Sequence, residues 1–256
     1  MRSIQTPSKL SCILMRGTRA PQPQTANLPI MIQEVDLPSE VPVMTLSSTV
    51  LFPQALMPLF IFEPRYREML SDVLANDRIF AVAALDERSE EAANSETSYS
   101  IAAIGVVRAC KQNPDGSSNL VLQGLARVEL ETIVSEAPYR RARIRQILSE
   151  PGGTAAHLAT IQSRLLDLIQ TQIRLGAAIP QEVLQFLGAV SEPENALDLA
   201  IYTLCSSATL KQALLETREI LPRYEKFEQF LHSEIKRLKL DLKLRGDLND
   251  EHIGNN

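Results

Sequence analysis

The groups that could do covalent chemistry are few in this chain and poorly spaced for it. His157, His232 and His252 are its only imidazoles, and none stands at metal-ligand spacing from a second His or from a Cys. His157 and His232 read as polar-face helix residues, and His252 falls in the tail. Cys12, Cys110 and Cys205 lie far apart, are odd in number and form no Cys-x-x-Cys pair. That argues against a disulfide framework or a zinc site and suits a reducing compartment. No glycine is followed by lysine, so no P-loop can cradle phosphate, and neither a nucleophile elbow nor a kinase signature occurs. Scattered carboxylates could be paired by folding, but spacing selects no pair. The expectation is a chain that is not an enzyme, with no cofactor and no metal.

Two further sets of residues are suited to binding. Arg141, Arg143 and Arg145 share one face of a strand over 139–147, with Ala142 and Ile144 on the other, and Arg140 stands beside them. Such a basic stripe could meet phosphate or an acidic partner. The alternative is an exposed strand face paired with Glu129 and Glu131 across a sheet. The second set is Phe52, Pro53, Leu56 and Met57, in a segment over 47–58 that is apolar for a connection and stiffened by two prolines. Exposed together, these four would make an adaptable patch for a polypeptide. Turned inward, they would plug the end of the β-rich half against helices.

The stretch 101–134 organises the elements that position these groups. Two β-rich runs flank Asn113-Pro114-Asp115-Gly116-Ser117, in which Pro114 presets φ, Asp115 can bond its own backbone and Gly116 can take positive φ. That is a hairpin. Beyond Gly124, the polar Arg127, Glu129 and Glu131 alternate with Val128 and Leu130, as in a half-buried strand. Gly124 itself marks a bulge or corner where the sheet bends. Upstream, strands are expected over 41–46, with Pro42 acceptable at an edge, over Leu59–Phe62 as a short buried strand, and over Ile79–Leu85. A helix opens at Pro64 and buries Tyr66, Met69, Leu70, Val73 and Leu74. Residues 86–98 are acidic and serine-rich, the composition of a surface loop.

After Pro151-Gly152-Gly153 the apolar period changes from two to about 3.6. Leu158, Ile161, Leu165, Leu168 and Ile169 define a helix that stops at Gly176, and a short helix follows over 181–188. Ser191-Glu192-Pro193-Glu194 reads as a capping box for a helix burying Leu197, Ala200, Ile201, Leu204 and Cys205. Another helix spans 209–219, and Pro222 opens the last. The order is α+β: a β-barrel over 41–150, then a helical subdomain over 151–246. Segments 1–40 and 247–256 are expected to be disordered.

Hydrophobic residues at 45% and charged residues at 22% allow a sizeable core, and every apolar run is too short for a membrane span. The net charge of −5 conceals an asymmetry: residues 1–33 carry +4 and no acid, leaving −9 on the rest. An acidic body disfavours a general nucleic-acid binder. The acid-free leader has the composition of an organellar transit peptide or of sequence upstream of a start at Met31. Location is expected to be cytoplasmic, or organellar if the leader is a transit peptide.

Three motifs in register point to a family. Leu51-Phe52-Pro53, followed by Pro58-Leu59-Phe60-Ile61-Phe62-Glu63-Pro64-Arg65-Tyr66, resembles the opening of the N-terminal domain of Lon proteases. Gly105, Pro114-Asp115-Gly116 and the run Leu120 to Arg127 are similar to that domain's central hairpin. Lys211 to Glu216, followed by Arg223, is similar to its helical part. The resemblance implies a PUA-like antiparallel barrel joined to a helical bundle, expected here to stand alone without the ATPase and peptidase domains. The Lon peptidase nucleophile follows a Pro-x-Asp-Gly motif, but here Pro114-Asp115-Gly116-Ser117 reads as a turn with no matching lysine.

The function so implied is a polypeptide-recognition module. It would bind unfolded or partner polypeptides, or serve as an adaptor for an ATP-dependent protease or chaperone. A PUA-like RNA-binding module using the Arg140–Arg145 stripe is the alternative, and the acidic body opposes it.

Overall fold

The computed structural model describes residues 37–86 and 97–247. The expectations for residues 1–36, for most of the 86–98 loop and for the tail beyond 247 lie outside the described residues. Six strands and six helices follow in the order β1 (Glu40–Leu46), β2 (Leu56–Ile61), α1 (Pro64–Ala75), β3 (Ile79–Ala84), β4 (Ile101–Gln112), β5 (Ser118–Ser135), β6 (Arg141–Ile147), α2 (Ala155–Arg174), α3 (Gln181–Ala189), α4 (Pro193–Leu204), α5 (Ala208–Glu216) and α6 (Ile220–Asp247). The α+β order expected from the period change is therefore observed.

The sheet runs β2-β5-β4-β3-β1-β6, and a further pairing of β5 with β6 closes it. Five strands form a small barrel, and β2 is appended to the outside of β5. The pairings are antiparallel except for β1 with β3, which run parallel, so the antiparallel barrel expected has one exception. The physical reason is that β2 and α1 make a crossover between those two strands, and parallel neighbours need such a connection. Nor is β1 an edge strand, since β3 and β6 flank it. Pro42 is accommodated because the β3 register begins only at Val43, leaving β6 alone beside the proline.

The barrel interior is lined by two residues from each of its five strands. These are Val41 and Val43, Ala81 and Ala83, Ala102 and Ile104, Ala126 and Val128, and Ala142 and Ile144. Half of them are alanine, which suits a bore of so few strands. The alternate residues, among them Met44, Phe80, Val82, Ala103 and Leu122, point outward into a second core shared with α1 and the later helices. Burial on both faces explains why β3 reads as an unbroken apolar run.

The central hairpin forms as its residues dictate. Gly116 sits at φ +81°, the Asn113 carbonyl accepts from its N–H, and Asp115 Oδ1 accepts from the Ser117 N–H at 2.9 Å and hydroxyl at 2.6 Å. These bonds hold the Asp115 carboxyl below its ordinary value. In β5 the register with β4 slips between Ile104 and Gly105, opposite Ala126 and Gly124, so Leu125 is the extra residue of a bulge beside Gly124. Thr154 caps α2, its side chain accepting from the His157 N–H, and Gly176 at φ +85° follows its end. At α4 the expected capping box does not form: the N-cap is Glu192, with no side-chain cap bond. No described helix is long and apolar enough to cross a membrane.

Candidate functional site

Arg127 lies between the inward-facing Ala126 and Val128 and therefore points out of the barrel, toward the helices. Its Nη2 donates to Asp198 Oδ1 of α4 at 2.6 Å, and its Nη1 to Glu194 Oε1 at 3.4 Å. Arg223 of α6 enters the same cluster, with Nη1 2.9 Å from Asp198 Oδ1 and 3.0 Å from Glu194 Oε1. Its other nitrogens donate to Ser149 Oγ and to the Thr217 and Arg218 carbonyls. Ser149 Oγ donates in turn to Glu194. Two guanidinium groups and two carboxylates thus balance in a nearly dry space, where charges persist only if paired. Burial pulls the Arg127 guanidinium below its ordinary value, and Asp198 opposes that pull. The missing capping box has its cause here, because the Glu194 side chain is engaged in the cluster.

The apolar segment at 51–57 proves largely internal. Phe52, Pro53 and Met57 are buried, and Phe52 has no exposed surface at all. Gly124 makes this possible: a Cβ there would stand 2.0 Å from the Phe52 carbonyl oxygen. Backbone bonds from the Gln54 N–H to Gly124 and from the Gly124 N–H to Ala55 lock the contact. Arg127 lies over the Phe52 ring at 5.9 Å. The four-residue patch Phe52, Pro53, Leu56 and Met57 is therefore not a surface as read. Three of them are turned inward, and only Leu56 is exposed.

Leu56 is instead the first residue of an apolar face that sequence reading missed. β2 begins there, three residues before the expected strand, and Phe60 and Phe62 lie on its outside rather than buried. Leu56, Phe60 and Phe62 are 57%, 55% and 61% exposed, large fractions for such side chains. The two phenyl rings stack with centroids 5.8 Å apart. Met57 and Ile61 face inward. Because both faces of β2 carry apolar side chains, no hydrophobic alternation marked the outer one.

This face continues across β5 and β4. Register aligns Pro58 with Val121 and Ala109 in one cross-strand row, and Phe60 with Asn119 and Lys111 in the next. Between them lies an open groove of about 420 Å³. Pro58, Val121 and Ala109 give it an apolar floor. β2 has β5 on one side and no strand on the other among the described residues. An exposed, uncharged edge strand with an aromatic pair is a surface that proteins ordinarily protect unless something binds there.

Two arginines of the basic stripe, Arg143 and Arg145, are paired. Arg143 Nη2 donates to Glu40 Oε1 at 3.3 Å, Arg145 binds both Glu129 and Glu131, and Arg140 Nε donates to Glu136 Oε2 at 3.0 Å. The Tyr139 hydroxyl donates to Asp72 at 2.7 Å. Arg145 thus meets Glu129 and Glu131 across the sheet, whereas Arg143 meets Glu40 of β1. Ser117 Oγ is held in the turn, donating to Asp115 and accepting from Asn113 Nδ2 at 2.9 Å. His157 and His232 are exposed on helices.

Residues 40–233 match the family model described as the ATP-dependent protease La (LON) substrate-binding domain. A Lon protease of Desulfosudis oleivorans is 28% identical over 218 residues, covering 84% of this chain and 26% of the relative. Lon protease 1 of Herpetosiphon aurantiacus is 30% identical over 222 residues, covering 84% and 27%. The chain thus spans about a quarter of the length of these curated relatives. Among solved structures, the N-terminal domain of Mycobacterium avium complex Lon protease superposes with a TM-score of 0.59 at 14% identity, covering 77% of this chain and 98% of that one. A Lon N-terminal domain protein from Xanthomonas campestris gives 0.50 at 18% identity, covering 75% and 97%. These likenesses confirm the fold.

Proposed function

Because the chain belongs to the ATP-dependent protease La (LON) substrate-binding domain family, we propose that it is a polypeptide-recognition module without catalysis of its own. It holds segments of unfolded or partner chains and acts as an adaptor that presents them to an ATP-dependent protease or chaperone. The observation that carries this reading is the exposed face of β2, where Leu56, Phe60 and Phe62 stand beside an apolar groove. Aromatic anchors next to a preformed trough supply most of the binding energy in such interfaces. The turn-bound hydroxyl of Ser117 supports the non-catalytic part, since a nucleophile needs a base beside it and this oxygen is bonded to a carboxylate and an amide. Arg143 and Arg145 of β6, already paired with glutamates, give nucleic acid little to hold.

The test is anisotropy titration of a labelled, permanently unfolded model protein with the native chain and with Phe60→Ala/Phe62→Ala. Both rings are exposed, so the variant should fold, which circular dichroism checks. Binding should weaken about tenfold or more. Equal binding by the folded variant would remove this face from consideration. Casein incubated with the purified protein, with and without ATP, should remain intact.

A further inference from the structure

The groove beside the stacked phenylalanines also carries a charge. Among the residues that line it, Lys111 is the only ionised one. It is exposed and has no ion-pair partner among the described residues, whereas Arg140, Arg143, Arg145, Arg164, Arg218 and Arg237 all have one. Register fixes its place: Lys111 on β4 and Phe60 on β2 share a cross-strand row, with Asn119 of β5 between them. Neighbouring strands are about 4.8 Å apart, so ammonium and phenyl ring rise from strands about 10 Å apart. The trough between them is apolar.

Resting on the recognition reading above, we propose that this groove selects extended segments in which an apolar side chain and an acidic one stand two or three residues apart. The apolar group packs against Phe60 on the Pro58–Val121–Ala109 floor, and the carboxylate meets Lys111. An extended chain rises about 3.3 Å per residue, so two or three residues span about 7–10 Å, the separation of the two anchors. A groove of about 420 Å³ has the size of a ligand site that takes a few side chains and not a folded surface. Charge complementarity at the groove argues for the acid, since Lys111 is the ionised residue among those that line it.

The experiment uses three synthetic peptides of one apolar sequence that differ in a single residue, Glu, Gln or Lys, placed two residues after a Leu. Each is titrated by anisotropy at low salt into the native chain, Lys111→Gln and Lys111→Glu. The Glu peptide should bind the native chain about three- to fivefold tighter than the Gln peptide, as expected for an exposed pair. That preference should vanish in Lys111→Gln and reverse toward the Lys peptide in Lys111→Glu. If Glu and Gln peptides bind equally while Phe60→Ala/Phe62→Ala weakens both, the groove binds polypeptide without acidic selection and this inference is overturned alone. It is likewise overturned alone if no peptide binds but the unfolded model protein does. Failure of both ligands to bind overturns the recognition reading with it.

Discussion

Arg127 and Asp198 stand 2.6 Å apart where neither meets solvent, and Arg223 shares the same carboxylate oxygen at 2.9 Å. One aspartate of α4 thus joins the outer wall of the barrel to the last helix. Asp198→Ala would leave two buried guanidinium groups with only Glu194 between them. Breaking a buried pair from one side costs about 3–5 kcal/mol. Urea unfolding should show a loss of that size, and Arg127→Met/Asp198→Ala, which removes one guanidinium together with the carboxylate, should lose less than the sum of Arg127→Met and Asp198→Ala. Additive losses would mean that the two residues are not coupled.

At Gly124 the limit is steric. The Phe52 carbonyl oxygen and the Pro53 Cα leave no room for a methyl group. Gly124→Ala should lower stability by about 2–3 kcal/mol, near the upper end for forced overpacking. Because Phe52 would be displaced, apolar dye binding to the folded protein should increase. A thermal midpoint within a degree or so of the native protein would show that the contact is looser than described.

Tyr139, Tyr202 and Tyr224 predict an alkaline limit. Burial raises all three phenols above their ordinary value, and bonds to Asp72 and Glu228 add to the rise at Tyr139 and Tyr224. The folded state therefore holds these protons more tightly than the unfolded chain, whose tyrosines release them near pH ~10. Their contribution to stability is complete below that pH and is lost as pH rises above it. Urea midpoints should hold up to about pH 10 and fall between about pH 10 and pH 12, and Tyr224→Phe should flatten the decline.

The β6 arginines should not bind RNA appreciably. Arg143 and Arg145 are already neutralised by Glu40, Glu129 and Glu131. Titration of a single-stranded RNA at about 50 mM salt should give no saturation below about 10⁻⁴ M protein. Tight binding with a steep salt slope, abolished by Arg141→Glu, would reinstate the RNA-binding alternative.

What could be read from the sequence was what neighbouring residues decide among themselves. The Pro114-Asp115-Gly116 turn, the Gly124 bulge and the helical stripes all appear where local periodicity put them. The fates of Arg127 and Phe52 were not legible, because distant residues settle them. Arg127 looks like an ordinary polar-face residue until Asp198, 71 positions on, is folded over it. Phe52 in its proline-stiffened segment looks available until Gly124 admits its backbone. Glu194 stands at the third position of a local capping box yet turns to Arg223, 29 positions away. Phe60 and Phe62 sit in an apolar run whose outer face is not legible, because an apolar residue facing solvent leaves no mark in a pattern read by hydrophobicity.

The strand order has a consequence for synthesis. Closing the barrel requires Glu40 on the first strand to meet Arg143 on the sixth, 103 residues later. On a translating ribosome the first strand must therefore wait, its valines uncovered, until nearly the whole β-rich half has emerged. Helpers that shield nascent chains should matter more for this protein during that interval than at any time after it.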